Sequence, residues 1–161
     1  MYALLNAAGV ASMNLLLATP EETIKNIINT NLIGTIFCTR EIMPAFVRSK
    51  VGRIINFSSF AVKIGLQGES VYVASKAGVE GFSRSIAREL ASYNVTVNCI
   101  SPGPIKTKLT EKVPTNYINK VIDQQIFTEQ CDENDILNCV KLILDSKSNK
   151  ITGENFIIGG F

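Results

Sequence analysis

The feature that most constrains the fold is an alternation of uninterrupted apolar runs with amphipathic helical segments. The runs RIINF (residues 53–57) and VTVNCI (95–100) flank residues 71–92, where Val79, Phe82, Ile86 and Leu90 recur on one helical stripe. A strand that is apolar on both faces must be covered on both faces, which is the habit of parallel sheets joined by helices. YALLNAAG (2–9) reads as a further short strand entering a glycine turn, and ENFIIGGF (154–161) as a closing strand. Between them, residues 20–50 carry Ile24, Ile27, Ile28, Leu32, Phe37, Ile42 and Phe46 near helical spacing, as one broken helix or two consecutive ones. Thr19 is expected to cap the start, with Pro20 in the first position and Glu21 and Glu22 in the first turn. Helices are also predicted over 114–126 and 132–145, the second capped by Asp132 or Asn134. Strands alternating with helices give an α/β fold built on a doubly wound parallel sheet. Residues 1–161 form a single domain without repeat or linker.

Composition removes several functions. The hydrophobic content of 46% supports a sizeable core, and 19% charged residues is too few for long disordered tracts. A net charge of +2, with no run of like charges, argues against nucleic-acid binding. No stretch of about 18 apolar residues is present to span a membrane, and no basic-led apolar leader opens the chain. With no disulfide-like framework, this favours the cytoplasm. Cys38, Cys99, Cys131 and Cys139 form no CxxC pair and fit no zinc spacing, so they read as reduced, mostly buried thiols. Histidine is absent altogether, which removes Ser-His-Asp and Cys-His catalysis and histidine metal sites. Proton transfer here must use Tyr, Lys, Asp, Glu or Cys.

Tyr72 and Lys76 stand four apart at the start of the predicted 71–92 helix and therefore share a face. A phenol ordinarily holds its proton to about pH 10, and a neighbouring ammonium is expected to lower that value. Tyr72 then becomes a general acid or base near neutrality. Ser59 follows the strand GRIINF, at the carboxyl end where ligands bind in open α/β sheets. Its hydroxyl there can hold a carbonyl or alcohol while Tyr72 exchanges the proton.

The segment GRIINFSS…YVASKAGVEGFSRSIARELASYNVTVNCISPGPIKT resembles the short-chain dehydrogenase/reductase family, especially its 3-oxoacyl-(acyl carrier protein) reductase-like branch. NAAG (6–9), NTNLIGT around Asn31, SPGPIKT and ITGENFIIGG resemble further family segments in the right order, so the likeness covers nearly the whole chain. The resemblance implies a Rossmann-like fold and an oxidoreductase that interconverts a carbonyl and a secondary alcohol with NAD or NADP. It implies Tyr72 as catalytic acid/base, Lys76 as a ribose ligand that tunes it, Ser59 rather than Ser58 as the substrate-orienting hydroxyl, and Asn31 as support for a proton-relay water. Asn6, Ala8 and Gly9 would shape the cofactor-side turn, and Pro102, Gly103, Ile105 and Thr107 would face the nicotinamide, its carboxamide or the phosphates. Residues 108–131 would form a mobile substrate lid.

The chain departs from the family pattern in one large respect. It contains no GxxxGxG or GxGxxG turn to receive a pyrophosphate, and Gly65 and Gly68 lie in the wrong context. By resemblance the first βαβ units, roughly 80–90 residues, are missing, as in an N-terminally truncated reductase. Such a chain is expected to bind dinucleotide poorly and to expose a sheet edge. Ala7 stands where the family has a second Asn, and IGG where it has Asp-Gly-Gly, which leaves room for a specialised substrate such as a sugar precursor. The expected partners are a small carbonyl or alcohol substrate and further copies of the chain, as a dimer or tetramer through helices 20–48 and 71–92. The competing reading is a non-catalytic interaction or regulatory module on the same scaffold, which would associate without binding a nicotinamide cofactor.

Overall fold

In the computed structural model, which describes residues 3–107, 110–111 and 113–161, the apolar runs become four strands: β1 (Ala3–Asn6), β2 (Gly52–Phe57), β3 (Val95–Pro102) and β4 (Asn155–Ile158). All pairings are parallel, in the order β1-β2-β3-β4. The register sets Asn6 beside Asn56 and Asn56 beside Cys99, so the carboxyl ends of the strands lie along one edge of the sheet.

Helices cover both faces, as continuous apolar strands demand. Successive strand residues point to opposite sides. Ile54 and Val97 meet Phe46, Ile86 and Leu90 from α2 (Gly34–Ser49) and α4 (Ser70–Leu90) on one face. Ile55 and Ile100 meet Cys139, Val140 and Ile143 from α6 (Glu133–Leu144) on the other. The sheet is therefore doubly wound, as the sequence predicts.

The 20–50 segment resolves into α1 (Glu21–Ile28), a π-helical turn over Asn29–Ile33, and α2. Its start differs from expectation. Pro20 holds the capping position without a side-chain bond, and the Thr19 hydroxyl donates back to the Leu15 carbonyl at 3.0 Å. The preceding 3-10 turn, Leu16–Ala18, brings that carbonyl within reach first. A four-residue α3 (Ala61–Ile64) follows β2, and α5 (Thr115–Ile122) is shorter than predicted. Asp132, not Asn134, caps α6, in a reciprocal box with Asp135. Of the expected lid over 108–131, residues 108, 109 and 112 lie outside the described residues. Among the described residues no helix is long and apolar enough to cross a membrane.

Candidate active site

Three elements converge at the carboxyl edge of the sheet. Residues 57–60 leave β2, α4 crosses behind them, and the turn after β1 closes the third side. The α4 residues Tyr72, Ser75, Lys76, Val79 and Ser83 are all buried, a three-to-four spacing that aims one face at the strand ends. This converts the linear motif into a cluster. Tyr72, Lys76 and Ser59 retain only 8%, 5% and 7% exposure, low for polar groups unless a site requires them.

Lys76 is held from two sides. Its ammonium donates to the Phe57 carbonyl at 2.8 Å, at the last residue of β2, and lies 5.8 Å from the centre of the Tyr72 ring. Burial lowers its pKa to about 8, opposed by an electrostatic contribution from Cys99. The β1 turn comes so near that a Cβ on Gly9 would stand 3.4 Å from both the Lys76 Nζ and the Asn31 Oδ1. Asn31, fully buried inside the π-helical turn, accepts from the Val10 amide at 2.8 Å. It donates to the Val10 carbonyl at 2.9 Å and to the Ser75 hydroxyl at 3.0 Å. Asn31 thus ties the β1 turn to α4 and spends its side chain on protein partners.

The two serines differ in their partners. Ser58 donates to Glu80 at 2.7 Å while still bordering the cleft. Ser59 faces Tyr72, and its hydroxyl receives the Ala61 amide at 3.2 Å. The electrostatic expectation for Tyr72 does not hold. Its pKa is raised above the ordinary 10, first because burial disfavours the phenolate, then opposed by Ser59 and reinforced by Glu69. The ammonium of Lys76 lies over the ring and donates to the Phe57 carbonyl, and burial sets the direction of the shift.

Two cavities meet at this cluster. The larger, ≈ 330 Å³, is bordered by Ala7, Gly9, Lys76, Gly103, Ile105 and Thr107, with Pro102 at its base. The smaller, ≈ 90 Å³, is largely apolar and reaches α5. Ser59 and Tyr72 line both, at the boundary between them. Of the turn residues expected near the cofactor, Gly9 borders the cleft and Ala8 does not, while Ala7, outside that expectation, does. Asn6 turns beneath the cleft, donating to Asn56 at 2.8 Å and Thr39 at 3.2 Å. The alternation of side chains along the strand fixes that choice, since Asn6 must face the sheet interior to reach Asn56. Four contributors carried no signal in the sequence pattern: the Phe57 carbonyl, Ser75, and, on the smaller cavity, Glu69 and Tyr117.

Comparison with known proteins gives a consistent picture. A family profile described as enoyl-(acyl carrier protein) reductase matches residues 1–160. The 3-oxoacyl-(acyl carrier protein) reductases FabG of Staphylococcus aureus and Staphylococcus epidermidis are 36% and 34% identical over 157 residues. These matches cover 98% of this chain, which spans 64% of the length of those relatives. A solved 4-hydroxyisoleucine dehydrogenase mutant, complexed with NADH and succinate, superposes with a TM-score of 0.91 at 32% identity, over 98% of this chain and 67% of its own.

Proposed function

We propose, for a chain that belongs to the short-chain dehydrogenase/reductase family, that it forms the catalytic and substrate-binding part of an oxidoreductase interconverting a carbonyl and a secondary alcohol with a nicotinamide cofactor. The observation that carries this reading is the position of Tyr72 and Ser59 on the shared wall of two cavities. A carbonyl or alcohol oxygen lodged there meets a proton-exchanging phenol and a hydroxyl at once.

The residues present fit one half of a nicotinamide dinucleotide. Gly9, closely apposed to Lys76, leaves a cradle that a side chain would fill, and Lys76, Ile105 and Thr107 border the same cleft. Lys76 would hold the ribose, with Gly9, Pro102, Gly103, Ile105 and Thr107 around the nicotinamide end. The sequence contains no glycine-rich turn for the pyrophosphate half. The cofactor, when bound, supplies the two-electron chemistry. The solved dehydrogenase above is named as a complex with NADH, which supports a nicotinamide cofactor here.

In the direction of reduction, Ser59 and Tyr72 hold the carbonyl oxygen by hydrogen bonds, and Tyr72 gives it the proton. In oxidation Tyr72 takes the proton from the alcohol. The raised phenol pKa keeps the proton on Tyr72 at neutral pH but makes it a weaker donor, since proton transfer is most efficient when the pKa lies near the working pH. Asn31 keeps the β1 turn registered against α4 through Val10 and Ser75.

Tyr72→Phe is the test. Ketone reduction by the chain, followed as loss of reduced nicotinamide at saturating NADH or NADPH, should drop about 10²–10⁴-fold with the fold retained. Undiminished turnover in the variant refutes the assignment.

A further inference from the structure

The smaller cavity is walled by Ala11, Met13, Leu66, Val113, Ile118 and Val121, and into this apolar lining projects one carboxylate, Glu69. Glu69 occupies the capping position of α4, yet its side chain makes no capping bond to the helix. The salt bridges among the described residues involve Lys25, Arg40 and Arg84 and none reaches Glu69. Tyr117, its neighbour across the cavity, spends its hydroxyl on the Gln67 carbonyl at 2.9 Å. The carboxylate is nonetheless drawn out of water, and burial pushes its pKa up. Its field reaches the phenols of Tyr72 and Tyr117. Tyr72 lies three residues further along, in the first turn of α4, and both side chains line the same cavity.

A half-buried carboxylate without a partner among the described residues is an unfavourable arrangement that a complementary cation relieves, and that a second anion aggravates. We infer that Glu69 is a specificity-determining residue. It selects alcohols and ketones that carry an ammonium group within a few bonds of the reacting carbon, and rejects those with a carboxylate there. The inference rests on the proposed use of this cavity for the carbonyl or alcohol substrate.

A matched series tests it: 4-amino-2-butanol, 1,3-butanediol and 3-hydroxybutyrate share the secondary alcohol and differ in charge at the far end. Binding to the chain without cofactor is read by competition in saturation-transfer NMR, and oxidation is read separately with NAD or NADP. The amino alcohol should bind at least about tenfold more tightly than the hydroxy acid, an energy difference of about 1.4 kcal/mol. Glu69→Gln should bring the ratio near one, and Glu69→Lys should invert it. Equal binding of the three by the unaltered chain, or a ratio that neither variant moves, overturns the inference. A charge preference in binding without oxidation of any member leaves it standing and removes the catalytic reading. Oxidation that depends on Tyr72 but is blind to charge does the reverse.

Discussion

Replacing Lys76 by Met separates the energetic cost of the site from its chemistry. The ammonium titrates at about 8 in the folded chain against an ordinary value of 10.5. At about 1.4 kcal/mol per pH unit, holding it charged and buried costs the fold about 3 kcal/mol below pH 8. Between these two values the unfolded chain binds more protons than the folded one, so stability rises as pH rises. From pH 7 to pH 10 the contribution of this one group is an increase of about 2.5 kcal/mol. Lys76→Met abolishes that dependence. At pH 7 the variant gains the relieved desolvation and loses the bond to the Phe57 carbonyl, which at about 1–2 kcal/mol offsets only part of it. The variant should therefore be more stable than the native chain at pH 7 by about 1–2 kcal/mol, and less stable at pH 10. Urea unfolding of both proteins across that range measures the difference directly, and groups common to both cancel. A difference that does not change with pH refutes the claim that desolvation of Lys76 outweighs its bond to the Phe57 carbonyl.

Two further outcomes follow from neighbouring contacts. Ser59→Ala should raise the titration of Tyr72 further above 10, because the hydroxyl favours the phenolate; phenolate absorbance, taken as a difference against Tyr72→Phe, isolates this tyrosine, and an unmoved titration would separate the two side chains. Gly52→Ala should destabilise by about 1–3 kcal/mol, since its methyl would stand 2.6 Å from the ring of Phe46, which is fully buried and has no room to retreat; an unchanged urea midpoint would show that the α2–β2 contact yields.

Much of this architecture was written in local pattern. RIINF and VTVNCI form strands because a continuous apolar run buries both faces, and the 71–92 stripe becomes α4 because its apolar residues return every three or four positions. The same periodicity aligns Tyr72 with Lys76, and chain direction in a parallel sheet delivers Ser59 to them. Other features depended on atoms distant in sequence. The different hydrogen-bond partners of Ser58 and Ser59 depend on Glu80, 22 residues on from Ser58. The π-helical turn at Asn29–Ile33 accompanies a side chain that has partners at Val10 and Ser75, which no local rule reveals.

The sequence by itself determined the order of strands and helices and the helical face that Tyr72 and Lys76 share, because both arise from spacing along the chain. Only the tertiary structure decided how those groups behave. It buried the phenol, turned the ammonium toward the Phe57 carbonyl and set Glu69 in an apolar wall. Desolvation depends on which distant residues displace water, and that quantity exists only once the chain has folded.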